Sequence, residues 1–230
     1  MIIGGLVKFS LNDYPGKTSA VLFTRGCNFR CPYCHNPELV LPKQYASEIC
    51  LEKIFSFLKS RKEKLDAVVI TGGEPTWHTD LPKFLKEIKE MGFLVKLDTN
   101  GNNPEILKSI IQEKNIDYIA MDIKAPFEKY TEVSRTLLDT KKIKKSISLI
   151  INSGLPHEFR TTVAKPLTTF DDLRKIAERI KGADNYFLQR FVAGPKLNDQ
   201  SFSAEISYSE NELLAIAAEL STLVKHCGVR

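Results

Sequence analysis

Short apolar runs alternate along this chain with stretches of helical period, and that alternation is the primary guide to its architecture. Six runs predict strands: Ser19 to Thr24, Ala67 to Thr71, Leu94 to Asp98, Asp117 to Asp122, Phe159 to Ala164 and Tyr186 to Phe191. The intervening segments carry helix-end signals. Asp80 is placed to cap a helix that closes at Gly92, Asn103 with Pro104 at the first helical position opens another, and Ser209 with Glu212 forms a capping box. Ile143 to Ile151 is rich in β-branched residues and passes for a strand by propensity. Its period decides otherwise: Ile143, Ile147, Ile150 and Ile151 recur at helical spacing and Gly154 supplies a stop, which predicts a helix. Strands alternating with helices imply an α/β fold, here a partial (β/α)6 barrel of TIM-like type. Ligands in such barrels gather at the C-terminal ends of the strands.

At 230 residues, 43% hydrophobic and 27% charged, the chain suits a single domain over residues 1–230, with a short N-terminal extension over about the first 18 residues. The start, Met1-Ile2-Ile3-Gly4-Gly5, has neither a basic flank nor a long apolar run, so no signal peptide or membrane span is expected. Five cysteines, three of them clustered, suit a reducing compartment better than a disulfide framework, and a cytoplasmic location is expected. A net charge of +5 permits an acidic partner or an anionic ligand and is too small to argue for nucleic acid.

Chemistry enters with Cys27-Asn28-Phe29-Arg30-Cys31-Pro32-Tyr33-Cys34, which packs three thiolate ligands into eight residues with no fourth nearby. Full ligation of the common iron–sulfur clusters takes four cysteines, so three leave one iron open, as a catalytic zinc keeps an open position. A structural zinc site or buried free thiols are the alternatives. His35 would have to close the zinc tetrahedron, yet it directly follows Cys34, and adjacent residues rarely share one ion. Cys50 and Cys227 stand alone in segments that read as helical, as ordinary buried or half-buried residues. The spacing favours the cluster.

A second motif, Thr71-Gly72-Gly73-Glu74-Pro75, follows the apolar run Ala67 to Ile70. Two glycines let the main chain approach a small charged ligand, and Glu74 adds a carboxylate; a plain strand-ending turn explains the same residues. Further polar residues fall near other strand ends: Asp98-Thr99-Asn100-Gly101, Asp122-Ile123-Lys124, Arg160, Gln189 and Arg190. Individually, Asn100-Gly101 reads as a turn, Asp122 as an ion-paired residue and the arginines as surface charges; their convergence is harder to assign to packing. Gly16-Lys17-Thr18 imitates the end of a phosphate-binding loop but lacks the required glycine, since Leu11 holds that position. Lys141, Lys142, Lys144 and Lys145 read as a solvated helix face that is able to meet an acidic partner.

With these two motifs the sequence resembles the radical S-adenosylmethionine (SAM) superfamily, which carries Cys-x3-Cys-x2-Cys with an aromatic before the last cysteine, here Tyr33, and a Gly-Gly-Glu-Pro segment after its second strand. Within it the chain resembles the glycyl-radical-enzyme activating enzymes, especially those of anaerobic ribonucleoside-triphosphate reductase. Asp13 to Lys17, Cys34-His35-Asn36-Pro37-Glu38, Asp98 to Gly101, Met121 to Lys124, Glu158 to Val163 and Leu188 to Phe191 carry this likeness. Only Leu39 to Leu65 separate the cysteine motif from the second strand, so the ferredoxin-like insert of the larger activators is absent.

The resemblance implies that Cys27, Cys31 and Cys34 hold a [4Fe-4S] cluster whose open iron is chelated by the amino and carboxylate groups of SAM. It implies that Gly72, Gly73 and Glu74 hold the SAM amino group, that Lys124 serves the carboxylate and that backbone near Tyr33 receives the adenine. Asp98, Thr99 and Asp122 are candidates for a polar pocket or a monovalent-cation site. Arg160, Gln189 and Arg190 are candidates near the opening that admits a peptide. One electron from flavodoxin or ferredoxin would lead to SAM cleavage and a 5′-deoxyadenosyl radical, which takes hydrogen from a glycine of the partner, anaerobic ribonucleotide reductase. Two other readings stay open: a radical SAM enzyme acting on a small molecule, of the deazaguanine-precursor type, and an iron–sulfur electron-transfer protein.

Overall fold

A computed structural model describes residues 1–202 and 207–230. A single sheet of eight strands in chain order runs through it, comprising β1 (Ile3–Ser10), β2 (Ser19–Thr24), β3 (Ala67–Gly72), β4 (Leu94–Thr99), β5 (Tyr118–Asp122), β6 (His157–Val163), β7 (Asn185–Arg190) and β8 (Cys227–Val229). β1 pairs antiparallel with β2, and every later pairing is parallel. The helices are α1 (Pro37–Val40), α2 (Leu51–Lys59), α3 (Leu81–Glu90), α4 (Pro104–Gln112), α5 (Tyr130–Ser134), α6 (Thr140–Ile151), α7 (Phe170–Arg179) and α8 (Glu210–Leu220). β2 to β7 are the six predicted strands, and β1 and β8 extend them on either side.

Period-two alternation divides these strands between two environments. Ala20, Leu22, Val68, Ile70, Val95, Leu97, Ile119 and Met121 face the helices and join the large core with Ile54, Leu85, Ile110 and Ile147. Val21, Ala67, Val69 and Tyr118 face the other way and pack with Tyr14 into a small apolar plug inside the curved sheet. Tyr14 belongs to the turn between β1 and β2, where Gly16 has a φ of 67° and Lys17 N–H donates to the Tyr14 carbonyl at 3.2 Å. The segment expected as an N-terminal extension therefore supplies both an edge strand and a plug for the barrel floor.

Several helix ends follow their sequence signals. The Asn103 side chain accepts from Ile106 N–H with Pro104 at the first position, and Ser209 with Glu212 forms the capping box of α8. α6 runs as a helix through Ile151. Asp80 precedes α3 without a capping bond, its carboxylate pairing instead with the Met1 ammonium. Two cysteines depart from expectation. Cys227 lies on β8, because the chain after α8 returns as a last parallel strand beside Tyr186 to Leu188. Cys50 is exposed at the start of α2, where its thiol meets Glu52. Among the described residues no helix is long and apolar enough to cross a membrane.

Candidate active site

A cavity of about 290 Å³ opens at the C-terminal ends of the parallel strands. Its wall brings together every candidate of the site except Arg190: Cys27, Cys31, Tyr33 and Cys34 after β2, Gly72, Gly73 and Glu74 after β3, Asp98 and Thr99 on β4, Asp122 and Lys124 at and after β5, Arg160 on β6 and Gln189 on β7. Arg190 is the next residue along β7 and is exposed outside the cavity, since neighbouring side chains on a strand point to opposite faces.

The cysteine loop is held from several sides. Phe29 N–H donates to Cys27 Sγ at 3.3 Å, Arg30 Nη1 donates to the Cys27 and Phe29 carbonyls at 2.7 Å each, and Arg30 N–H reaches the Ser134 carbonyl at 2.8 Å. Asn198 N–H donates to the Cys34 carbonyl at 3.1 Å, its side-chain amide to the Cys31 carbonyl at 3.0 Å, and Asp199 N–H to the Pro32 carbonyl at 3.0 Å. The segment after β7 thus clasps the loop that follows β2. His35, the zinc alternative, turns its Nε2 to the Val192 carbonyl at 2.7 Å and stacks 5.6 Å from the Phe191 ring.

All three thiols are free of disulfides. Burial, then the Glu74 charge, pushes Cys27 up to about 12; burial pushes Cys31 up to about 11 against the pull of Lys124; burial also raises Cys34. Without a cation these sulfurs keep their protons at neutral pH, and binding iron releases them. Among the described residues no three His, Cys, Asp or Glu side chains gather round one point as ligands of a single ion do, whereas thiols that each hold a different iron of a cluster need not. The Tyr33 hydroxyl is buried on the same wall without a hydrogen-bond partner, an unsatisfied group of the kind a ligand relieves. The soft donor set, the cavity beside it and the unpartnered hydroxyl fit a cluster with SAM.

The glycine motif works differently from a simple ligand approach. Gly72 has a φ of 109°, and a Cβ there would lie 2.5 Å from Thr24 N; a Cβ at Gly73 would lie 2.1 Å from the Gly26 carbonyl oxygen. Gly73 N–H donates to the Thr24 carbonyl and Glu74 N–H to the Gly26 carbonyl, each at 2.8 Å. The glycines let β3 close on the segment that carries Cys27, so that one closure shapes both motifs.

Glu74 is 2% exposed, and its carboxylate is a hub. Oε1 accepts from Thr76 N–H at 3.0 Å, from the Thr76 hydroxyl and from the Thr99 hydroxyl at 2.7 Å, while Oε2 accepts from Asn100 N–H at 2.6 Å. Burial raises its pKa and these donors oppose that rise. Asn100, read from sequence as a turn residue, is 6% exposed, and its amide donates to Asn28 Oδ1 at 2.8 Å. Asn28, Asn100 and Glu74 form a hydrogen-bonded wall beside Cys27. A polar residue flanking the cysteine motif and another ending a buried strand were the available signals.

Asp98, Thr99 and Asp122 do not converge. Thr99 points to Glu74, while the two aspartates flank Arg160, whose Nε donates to Asp122 Oδ1 at 2.8 Å and whose Nη1 donates to Asp98 Oδ2 at 3.1 Å. The cation between these carboxylates is the guanidinium. Burial would raise the Asp122 pKa, but Arg160 and then Lys124, 3.1 Å from Oδ2, hold it well below the usual carboxylate range. Below this layer Glu158, fully buried, takes Arg230 in a two-pronged pair at 2.9 Å each, with Arg160 at 3.7 Å, Lys96 at 3.8 Å and the Tyr118 hydroxyl at 3.1 Å. Sequence reasoning missed Lys96, Glu158 and Arg230, whose meeting depends on register: Asp122 pairs with Arg160 and Leu188 with Val229 across the sheet.

An open parallel barrel with three thiols and a glycine closure at its C-terminal rim is the frame of an enzyme that couples a cluster to a small cofactor. The family model described as the radical SAM superfamily matches residues 21–202, and the chain belongs to that superfamily; it is an enzyme that works with a [4Fe-4S] cluster and SAM. A Methanocaldococcus jannaschii protein named as a candidate glycyl-radical enzyme activating enzyme is 39% identical over 221 residues, 92% of this chain and 88% of its own. A pyruvate formate-lyase-activating enzyme of Staphylococcus aureus is 34% identical over 122 residues, 49% of this chain and 48% of its own. The fold also matches Streptococcus suis SuiB bound to S-adenosylmethionine, with a TM-score of 0.68 at 14% identity, covering 91% of this chain and 51% of that one. At that identity the likeness is one of fold alone.

Proposed function

We propose that this chain activates a glycyl-radical enzyme, and that the partner is an anaerobic ribonucleoside-triphosphate reductase. The observation that carries the reading is the 39% identity to the M. jannaschii activating-enzyme relative over 92% of the chain. The absence of an insert between the cysteine loop and β3 agrees with a minimal activator. The reductase branch is supported by the overall likeness of the chain to those activators, whereas the pyruvate formate-lyase relative aligns over only 49% of the chain.

In this reading Cys27, Cys31 and Cys34 hold the cluster. The main chain of Gly72 and Gly73 serves the SAM amino group, and Lys124 its carboxylate. The Tyr33 region receives the adenine. Together the cluster and SAM supply a carbon-centred radical able to take a hydrogen atom from a glycine. The protein's part is placement. Glu74 locks Thr76, Thr99 and Asn100 behind the thiols, Arg160 fixes Asp98 and Asp122, of which Asp122 steers Lys124, and the Tyr14–Tyr118 plug closes the floor, 5.7 Å between ring centroids, so that access is from the strand tops.

The test is anaerobic reconstitution, reduction with dithionite and addition of SAM, with the reductase and then a pyruvate formate-lyase monitored by electron paramagnetic resonance. A glycyl doublet on the reductase is expected. A doublet only on the lyase would reassign the partner, and 5′-deoxyadenosine formed without a doublet on either would overturn the activase reading.

A further inference from the structure

Three carboxylates inside the barrel, Asp98, Asp122 and Glu158, are linked by ion pairs into one network under the thiol cavity. Among the described residues their partners are four cations, Lys96, Lys124, Arg160 and Arg230, one more than the carboxylates. Glu74, the other carboxylate on the cavity wall, accepts from the neutral donors of Thr76, Thr99 and Asn100 and stands apart from this network.

Arg160 is the contested member. Its Nε is 2.8 Å from Asp122 and its Nη1 is 3.1 Å from Asp98, while the same Nη1 stands 3.7 Å from Glu158 below. A guanidinium between carboxylates on two levels settles towards the one that is less compensated, and a fully buried carboxylate such as Glu158 pulls hardest when it lacks a partner. Arg230 removes that pull by taking both Glu158 oxygens at 2.9 Å each. Arg230 is itself held firmly: its N–H donates to the Leu188 carbonyl at 2.9 Å, its carbonyl accepts from Arg190 N–H at 2.8 Å, and its guanidinium lies 3.6 Å from the Phe187 ring centroid. A two-pronged pair made by a stacked guanidinium is the strong form of such a bond.

We propose that Arg230 is a positioning residue for the carboxylate of SAM, acting through Glu158, Arg160 and Asp122 on Lys124. With Glu158 occupied by Arg230, Arg160 stays with Asp122, and Asp122 holds less tightly to Lys124 Nζ, 3.1 Å from its Oδ2. The ammonium is then free to turn to an incoming carboxylate, the one anion that the surplus cation can receive. Without Arg230 the guanidinium of Arg160 moves towards Glu158, Asp122 keeps Lys124 as its remaining partner, and three cations face three carboxylates with none to spare. The proposal rests on the reading of Lys124 in the preceding section and does not depend on which enzyme is activated.

The test is equilibrium binding to the reconstituted holoenzyme, with its iron content checked and its cluster left unreduced so that no cleavage intervenes. The probes are SAM and decarboxylated SAM, which keeps the amino group and lacks the carboxylate. Arg230→Met should weaken SAM by about tenfold and decarboxylated SAM far less. The double variant Arg230→Met/Glu158→Gln should bind SAM nearly as the wild type does, because nothing then draws Arg160 down and the surplus cation is restored. In a Lys124→Met background Arg230→Met should add no further loss. Where Arg230→Met fails to assemble its cluster, Arg230→Lys, which keeps the charge without the second prong, should show the same selective loss to a smaller extent. Wild-type SAM affinity in Arg230→Met overturns the proposal. So do equal losses for the two ligands, or a double variant without recovery, since a residue that merely holds the barrel together gives both. Failure of the Lys124 reading shows separately, as unchanged SAM affinity in Lys124→Met alone, and failure of the activase reading as SAM cleavage with no glycyl doublet.

Discussion

The barrel interior has two layers built from the same strands and governed by opposite rules. In the lower layer Lys96, Glu158 and Arg160 bury their charges, Arg230 closes on Glu158 from the exposed end, and each has a partner of opposite sign, with the Arg230 guanidinium also stacked 3.6 Å from the Phe187 ring centroid. In the upper layer the three thiols have no disulfide and the Tyr33 hydroxyl has no partner. Asp98 stands on the border, with one oxygen on Arg160 and the other 3.3 Å from Lys96 without a hydrogen bond. Satisfied buried charge holds shape; unsatisfied buried polarity marks where a ligand belongs.

The upper layer should fail in function without failing in fold. Cys27→Ala, Cys31→Ala and Cys34→Ala each remove a group that bonds little in the protein itself, so the cluster-free chain should keep its thermal midpoint within a few degrees. Iron content after reconstitution should drop, and 5′-deoxyadenosine should be undetectable. A variant that retains full iron and cleaves SAM would exclude that cysteine as a ligand.

The lower layer should show the reverse. Glu158→Gln leaves Arg230, Arg160 and Lys96 around a neutral amide in a buried site, and removing one partner of such a network costs about 3–5 kcal/mol. Urea denaturation of the cluster-free chain is the direct measurement. A loss below about 1 kcal/mol would mean that water reaches this layer and that its charges are not the scaffold proposed here.

How far each layer was legible follows from what fixes it. The cysteine loop and the glycine turn are local patterns, and the structure places them on one cavity. β2 to β7 are read within two residues at each end because their apolar runs are long and bounded by turn residues. β1 escapes because its glycines and half-exposed pattern blunt the alternation, and β8 because three residues carry no period. The pairing of Glu158 with Arg230 joins residues 72 apart whose contact depends on the last strand being present, so no local signal announces it. Asn100 was visible as a polar residue at a strand end, but its role follows from the position of Glu74, which only the fold supplies.

Gly73 lies where the two layers meet the loop, and its variant separates steric effects from ligand effects. A Cβ there strikes the Gly26 carbonyl, which is main chain and cannot swing aside. Gly73→Val should therefore destabilise even the cluster-free chain, by about 1–3 kcal/mol, the usual range for overpacking. Cluster assembly should suffer along with SAM binding, since the displaced segment leads directly into Cys27. If iron content and stability both stay normal while SAM affinity alone falls, the glycine serves the ligand and not the closure.

The smallest effect comes from a charge outside both layers and calibrates the rest. Asp172, in the first turn of α7, accepts from Lys129 Nζ at 2.7 Å, from Thr169 N–H at 3.0 Å and from the Thr169 hydroxyl at 2.9 Å. Burial would raise its pKa, but the Lys129 and Thr169 bonds outweigh it and hold the carboxyl below its ordinary value. A folded pKa below the unfolded one means that the folded state binds its proton less readily. The contribution to stability is therefore complete above about pH 4, the usual unfolded carboxylate value, and is lost as pH falls through that value towards the folded pKa. Asp172→Asn should cost roughly 1 kcal/mol at pH 7, the scale of a helix cap, and the gap to wild type should narrow between pH 5 and pH 3. Thermal midpoints measured across that range without cluster or SAM check both the sign and the window. Because Asp172 bonds only Lys129 and Thr169 and no thiol or member of the buried network, the same narrowing should persist in the Cys31→Ala background; a gap that changes there would couple the outer helix to the cavity and break the separation of layers.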